Sequence, residues 1–113
     1  MKIAIAQLNA TIGDIDGNLA KIERALSETA PDRPDLAVFP ELFLSGYPPT
    51  DLLEQPAFME KLHAGIGRLC SLSEKFPGIG ILCGTVIPTG KKTGRGLYNA
   101  ALLIHAGRII FRQ

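Results

Sequence analysis

Two short apolar runs, separated by a segment with helical periodicity, set the strongest limit on what this chain can fold into. The runs occupy residues 3–6 and 36–39, and neither alternates with polar residues. Continuous apolar runs of this length are typical of strands that are covered on both faces. Between them, apolar side chains recur at the spacing of one helical face, at Leu19, Ile22, Leu26 and Ala30. The sequence therefore predicts a strand, helix, strand unit of a parallel sheet.

Capping residues mark the ends of this helix and the start of a second one. Asn18 or Asp16 is the predicted N-cap of the first helix, and Pro31 and Pro34 are expected to end it. Asp51, followed three residues later by Glu54, predicts the start of the second helix. The apolar face of this second helix is formed by Phe58, Leu62, Ile66, Leu69 and Phe76.

Proline and glycine residues interrupt the second helix. Pro56 is expected to separate a short turn from the longer helical piece. Gly65 and Gly67 lie inside that piece, and each costs about 1 kcal/mol relative to alanine. They indicate either close packing against another element or a tolerated loss of stability.

The last third of the chain predicts three consecutive strands joined by hairpins, at residues 79–86, 98–104 and 108–111. The Gly- and Lys-rich stretch 90–96 lacks Walker spacing and a following helix, which favours a solvated hairpin loop over a phosphate cradle. The chain then stops at Gln113 without a tail composition. We therefore expect residues 1–113 to be the N-terminal portion of a longer domain.

The charge balance and the cysteines limit the classes of partner and compartment. Twelve Lys and Arg against eleven Asp and Glu give a net charge of +1, so nothing indicates binding to nucleic acid or to a membrane surface. No apolar segment is long enough for a signal peptide or a membrane span. Cys70 and Cys83 have no metal-ligand spacing and cannot form a disulfide framework, so each is expected to be a packed thiol. These features predict a cytoplasmic protein.

Glu41 is a carboxylate placed directly after an apolar run, behind Pro40. In open α/β sheets ligands bind beyond the carboxyl ends of the strands, and residue 41 follows the end of the 36–39 run. A carboxyl group in an apolar pocket has a raised pKa and can take and return a proton near neutral pH. Position alone leaves two interpretations open, a general base or a rim carboxylate that caps a backbone N–H.

Several blocks of the sequence, taken in order, resemble a known superfamily. The blocks KIAIAQLN at residues 2–9, GDIDGN at 13–18 and LAVFPEL at 36–42 are similar to the start of carbon-nitrogen hydrolases, the nitrilase superfamily. SGYPPTDLL at 45–53 and YNAALL at 98–103 resemble, within it, the glutaminase domains of glutamine-dependent NAD⁺ synthetases. The resemblance covers essentially the entire chain.

The resemblance implies a fold and a catalytic apparatus. The implied fold class is α/β, a partial α-β-β-α sandwich of the nitrilase type in which a mixed sheet carries helices on one face and leaves an apolar second face for another sheet. The implied Glu-Lys-Cys triad hydrolyses the side-chain amide of glutamine, with Glu41 as the general base and Tyr47 as a candidate for the substrate pocket. The lysine and the nucleophilic cysteine of the family are expected beyond Gln113, so the chain alone is expected to be inactive.

The resemblance also implies partners and cofactors. Glutamine is the expected substrate, and a C-terminal synthetase domain is the expected partner of this domain. ATP and Mg²⁺ would belong to that synthetase domain, and we expect no cofactor and no metal in residues 1–113. A homo-oligomeric parent is expected. Two other functions stay open: a stand-alone amidase or nitrilase with a different substrate, and a non-catalytic module that uses the same fold to bind a partner.

Other polar residues each have a structural interpretation beside a functional one. Tyr47 either lines the substrate entrance or anchors a proline-rich turn. Asp51 is interpreted as a helix cap, and Asn99 either bonds the catalytic loop or stabilises a local turn. His63 is expected to be a solvated helix residue and His105 a hairpin residue.

Overall fold

The computed structural model describes residues 1–46, 55–88 and 97–113, and of residues 87, 88 and 97–99 it describes the backbone alone. Two helices and five strands follow one another in these described residues. They are β1 (Ile3–Ile5), α1 (Ile15–Thr29), β2 (Leu36–Val38), α2 (Pro56–Ser73), β3 (Gly80–Pro88), β4 (Leu97–His105) and β5 (Arg108–Arg112), with a 3-10 turn at Ala30–Asp32 after α1. Neither helix of this described part is long and apolar enough to cross a bilayer.

All five strands form one mixed sheet in the order β1-β2-β3-β4-β5. The first three strands are parallel, and β3, β4 and β5 pair antiparallel. A tight turn joins β4 to β5 through Ala106 and Gly107, which have φ values of 48° and 88°, as expected for a two-residue hairpin turn with two positive φ values. The predicted mixture of crossover helices and hairpin-connected strands is confirmed.

Both helices pack on the same face of the sheet and share one apolar core with it. Every residue of the predicted α1 face from Leu19 to Leu26 is buried. The core joins side chains of both helices to alternate residues of the strands, namely Ile15, Leu19, Ile22, Leu26, Phe58, Leu62, Leu69, Leu72, Ala37, Ile81, Cys83, Leu102 and Ile104. The prediction of helices on one face of a mixed sheet is therefore confirmed.

The start of α1 differs from the prediction. Asp14 is the N-cap, and its side chain accepts a hydrogen bond of 3.0 Å from the Gly17 N–H. Asp16 lies in the first turn, where a carboxylate complements the helix dipole. Asn18 lies inside the helix and is fully buried. The expected caps, Asn18 and Asp16, are therefore wrong, because Asn18 bonds a neighbouring loop instead of the helix end.

The two glycines of α2 have different surroundings. A Cβ atom on Gly65 would lie 2.7 Å from the Ile15 side chain, so this glycine allows the two helices to approach closely. A Cβ atom on Gly67 would meet nothing within 4 Å. Gly65 is therefore a packing residue, and Gly67 is a tolerated loss of stability. Pro56 is the first residue of α2, a position where the N–H that proline lacks has no partner within the helix, so it begins the longer helical piece as predicted. The short turn predicted before it lies outside the described residues.

The second face of the sheet is apolar and uncovered in the described chain. Ile3 and Ile5 are 51% and 70% exposed, and Phe111 at the opposite edge is 55% exposed. The expectation that the first apolar run is covered on both faces is therefore wrong for residues 1–46, 55–88 and 97–113. The expectation of an apolar second face is confirmed, since the alternating residues of the runs that point away from the helices are apolar as well.

Candidate active site

Glu41 lies at the carboxyl end of the parallel part of the sheet. After β2, the Phe39 N–H still donates to the Leu82 carbonyl at 2.9 Å, and the chain then leaves the sheet. Residues 40–46, here called the Glu41 turn, are closed by a 3.2 Å hydrogen bond from the Phe43 N–H to the Pro40 carbonyl. The Glu41 side chain is exposed. The strand-end position inferred from the sequence is thus the observed one, while the apolar pocket around the carboxylate stays a prediction.

The Glu41 turn is anchored by the apolar residues that follow the carboxylate. Leu42, Phe43 and Leu44 are at most 5% exposed, and the rings of Phe39 and Phe43 pack with centroids 5.8 Å apart. Leu42 has a φ of 54°, a left-handed conformation that costs a non-glycine residue about 1–2 kcal/mol. Such strain persists only where the surroundings fix it, and it is common next to catalytic groups. The turn therefore holds Glu41 on a rigid, strained backbone.

Strand β3 lies directly beneath the Glu41 turn. It is longer than β2, whose last residue pairs with Leu82, so the chain that leaves β2 crosses the continuing part of β3. At Gly84 a Cβ atom would lie 2.6 Å from the Leu42 nitrogen and 3.0 Å from the Glu41 Cα. Only glycine permits this approach of two backbones. The backbone of Gly84 therefore packs directly against the peptide that follows Glu41.

The buried amide of Asn18 joins the Glu41 turn to the loop between β1 and α1. Its Oδ1 accepts from the Thr11 N–H at 2.8 Å, and its Nδ2 donates to the Thr11 carbonyl at 2.9 Å and to the Leu44 carbonyl at 3.1 Å. A backbone hydrogen bond of 2.9 Å from the Gly13 N–H to the Ser45 carbonyl runs beside it. These contacts stitch the two loops together at the carboxyl end of the sheet.

Cys83 supports the same turn from inside the core and is not a reactive thiol. It is 1% exposed, and burial raises its pKa to about 12, an effect that the Leu44 backbone hydrogen bond only partly opposes. Burial also raises the pKa of Cys70, with the Arg112 charge acting in the opposite direction. Both thiols are free and protonated at neutral pH. The prediction that neither cysteine is an activated nucleophile is consistent with these surroundings.

The remaining residues singled out from the sequence lie away from Glu41 or outside the described residues. Tyr47 and Asp51 lie outside them, and so does the Asn99 side chain, although its backbone pairs with Val86 in the sheet. His63 is exposed on α2, as predicted. His105 is the last residue of β4, beside the turn to β5, which confirms the predicted hairpin position. Its Nε2 lies 2.7 Å from the Pro77 carbonyl.

Charged side chains elsewhere on the helices are paired across an open groove between α1 and α2. Arg68 contacts Asp16, and the Lys75 Nζ lies 3.1 Å from the Glu23 carboxylate. The four side chains are between 47% and 81% exposed, so solvent screens both pairs and they contribute little stability. Within residues 1–46, 55–88 and 97–113, no three His, Cys, Asp or Glu side chains are grouped closely enough to hold a metal ion.

Sequence reasoning missed two residues of this site. Asn18 was interpreted as a helix cap, and Gly84 was only one member of an apolar run. The signal for Gly84 was available, because a glycine inside a strand often marks a close backbone approach. No local signal identifies Asn18, since its partners Thr11 and Leu44 come from two different loops.

Comparison with known proteins identifies the family. The family model described as carbon-nitrogen hydrolase matches residues 2–113. The chain belongs to the carbon-nitrogen hydrolase family. Among curated relatives, this hydrolase chain is 46% identical over 111 residues to the glutamine-dependent NAD(+) synthetase of Synechocystis sp., covering 95% of the chain and 19% of that protein. It is 34% identical over 110 residues to the corresponding synthetase of Thermotoga maritima, covering 97% and 18%. The chain spans about a fifth of the length of these relatives.

Solved structures of the carbon-nitrogen hydrolases share the fold. The glutamine-dependent NAD⁺ synthetase of Acinetobacter baumannii superimposes with a TM-score of 0.78 at 29% identity, covering 99% of this chain and 20% of that one. An amidase from Nesterenkonia sp. superimposes with a TM-score of 0.84 at 26% identity, covering 99% and 41%. Another structure of the Nesterenkonia amidase shows the addition of acrylamide at its active-site cysteine. The mixed sheet with two helices is thus part of a nitrilase-type fold.

Proposed function

We propose that this chain is the N-terminal part of a glutaminase domain in which Glu41 is the general base, and that the parent protein uses the released ammonia to make NAD⁺. The observation that carries the proposal is the position of Glu41, held at a strand end by a rigid turn in a carbon-nitrogen hydrolase chain. The 46% identity to a glutamine-dependent NAD(+) synthetase supports glutamine as the substrate. The exposed apolar sheet face supports the second sheet of the sandwich as its cover.

In the proposed reaction, the Glu41 carboxylate removes the proton from a cysteine thiol beyond residue 113. The thiolate attacks the side-chain amide carbon of glutamine, a C–S bond forms, and the carbonyl oxygen becomes an oxyanion. A lysine ammonium from the same later part of the protein stabilises this oxyanion. The proton held by Glu41 passes to the amide nitrogen, the C–N bond breaks, and ammonia leaves a thioester.

The thioester is then hydrolysed with the same base. Glu41 removes a proton from water, and the resulting hydroxide attacks the thioester carbon. When the tetrahedral intermediate collapses, the C–S bond breaks and the cysteine recovers its proton from Glu41. Glutamate is released, and the carboxylate and the thiol return to their starting states. The Glu41 carboxylate is exposed in residues 1–46, 55–88 and 97–113. In the proposed mechanism the rest of the domain covers this carboxylate before it exchanges protons with the thiol and water.

The similarity to full-length NAD(+) synthetases supports a further domain as the partner of this one. We assign ATP and Mg²⁺ to a C-terminal synthetase domain, with no step of the glutaminase reaction passing through them. That domain would convert the deamido dinucleotide and ammonia to NAD⁺ in a homo-oligomeric parent. The two free cysteines fit a reducing compartment, so we place the parent in the cytoplasm.

A second candidate function is a stand-alone amidase, which the 0.84 TM-score to the Nesterenkonia amidase favours. A panel of amides distinguishes the two. We expect the purified protein that carries this chain to hydrolyse glutamine with the highest kcat/KM, above asparagine and simple aliphatic amides, and to form NAD⁺ from the deamido dinucleotide when ATP is added. Preference for an aliphatic amide, without NAD⁺ formation, would support the amidase and contradict the proposal.

A further inference from the structure

The backbone of Glu41 is held from two sides by residues that the general-base mechanism does not itself use. Gly84 lies beneath the peptide that follows Glu41, and Asn18 holds the far end of the same turn through the Leu44 carbonyl. From this arrangement we infer that Gly84 and Asn18 are positioning residues of the glutaminase site, setting where the Glu41 carboxylate stands relative to the thiol and the water it deprotonates. The inference rests on the proposed function.

The argument for Gly84 is the distance between two backbones. A methyl group there would lie 2.6 Å from the Leu42 nitrogen, and an ordinary contact begins at 3.4 Å. The clashing atoms belong to the main chain, so no side-chain rotation relieves the overlap. Leu42 already has a strained φ of 54° and a buried side chain, so the turn has little freedom to adjust internally. An added methyl group must therefore push the Glu41 backbone away from β3.

The argument for Asn18 is its buried hydrogen-bond set. The side chain is 0% exposed, and three bonds of 2.8 to 3.1 Å go to two separate loops. A planar amide is the group that can accept from one backbone N–H and donate to two carbonyls in a fixed geometry. Without it, the Leu44 carbonyl loses its tie to α1, and the turn loses its lateral restraint. Asn18 thus restrains the Glu41 turn through the Leu44 carbonyl, and Gly84 restrains the same turn through its contact with the peptide after Glu41.

Gly84→Ala in the complete protein tests the contact between β3 and the peptide after Glu41, with Gly80→Ala as the matched control. Gly80 lies on the same face of the same strand, where an added Cβ would lie 3.3 Å from the Leu36 side chain, 3.5 Å from the Asp35 carbonyl oxygen and 3.6 Å from the Leu103 side chain, with no contact as short as those at Gly84. Misplacement of a catalytic group by about 1 Å costs about 100-fold in rate. We expect Gly84→Ala to lower the kcat of glutamine hydrolysis by about 10-fold to 100-fold with KM nearly unchanged, and Gly80→Ala to keep kcat within about twofold.

Asn18→Ala tests the hydrogen bond between α1 and the Glu41 turn. If Gly84→Ala does not fold, this variant alone tests the inference. Its matched control is Asn9→Ala, because Asn9 is an exposed asparagine of the loop between β1 and α1, the loop that Asn18 bonds through Thr11. The expected result is again a lower kcat with KM nearly unchanged, and ammonia-dependent NAD⁺ formation should stay at the unsubstituted rate. A purely structural role would instead lower the thermal stability, and it would lower the rates of NAD⁺ formation from glutamine and from ammonia together.

The outcomes separate the positioning inference from the proposed function. If Glu41→Gln abolishes glutamine hydrolysis while the folded Gly84→Ala and Asn18→Ala variants keep the full kcat, the positioning inference is wrong and the base assignment stands. If Glu41→Gln itself keeps full activity, the proposed function is wrong. A selective fall of kcat in both positioning variants supports the inference.

Discussion

Glu41→Gln is expected to lower glutamine-dependent NAD⁺ formation by the complete protein by about 100-fold to 10,000-fold, the usual contribution of a positioned general base. Glutamine keeps the size of the side chain and cannot accept the thiol proton. NAD⁺ formation from free ammonium should continue at the unsubstituted rate, because that reaction does not need the glutaminase site. Steady-state rates with each nitrogen source measure both effects in one preparation.

Glu60→Gln is a suitable control for this substitution. Glu60 is an exposed carboxylate on α2, outside the Glu41 turn, and the same loss of charge there should leave both rates unchanged. Equal loss with glutamine and ammonium in the Glu41 variant would contradict the base assignment and indicate a structural role for the carboxylate.

The 113-residue chain by itself is expected to hydrolyse no glutamine, even when folded. A general base without a nucleophile starts no reaction, and burial raises the pKa of the Cys83 thiol to about 12, so this cysteine supplies no thiolate at neutral pH. The proposal also assigns the oxyanion donor to later residues, and the loss of one such donor costs about 100-fold to 1000-fold in rate. Ammonia release from glutamine by the purified chain measures the prediction.

Variants of the isolated chain separate real turnover from contamination. Glu41→Gln and Cys83→Ser should release ammonia at the same background rate as the unsubstituted chain, since the proposal assigns the lysine and the nucleophilic cysteine of the triad to later residues. Turnover above that background that either substitution removes would show that the chain contains its own nucleophile, and the assignment of the lysine and cysteine to later residues would be wrong.

The sequence predicted the elements of the fold because each has a local signal. The helical spacing from Leu19 to Leu26 and the Ala106-Gly107 turn are short-range patterns, and both are present in the structure. The N-cap of α1 was wrong because residues 14, 16 and 18 all carry side chains able to cap, and periodicity does not fix where a helix begins. The fate of Asn18 depended on a loop 26 residues away.

The candidate site was predicted in position but not in construction. Glu41 follows an apolar run, and the topology of parallel strands places such a residue at the ligand-binding edge. The contact between the backbones of Gly84 and Glu41 could not be predicted, because it forms only when β2 and β3 pair in parallel with a specific register. The exposure of Ile3 and Ile5 could not be predicted from local sequence either. A continuous apolar run predicts a strand that is covered on both faces, but it does not say which layer provides that cover.

The most direct test of Glu41 as the glutaminase base follows the nitrogen atom. The complete protein is given glutamine labelled with ¹⁵N at the side-chain amide, an excess of unlabelled ammonium, ATP and the deamido dinucleotide, and the mass of the NAD⁺ formed is measured. The unsubstituted protein should incorporate ¹⁵N from glutamine, whereas Glu41→Gln should form NAD⁺ at a comparable rate with only unlabelled nitrogen. Equal ¹⁵N incorporation by the two proteins would contradict the assignment of Glu41 as the general base.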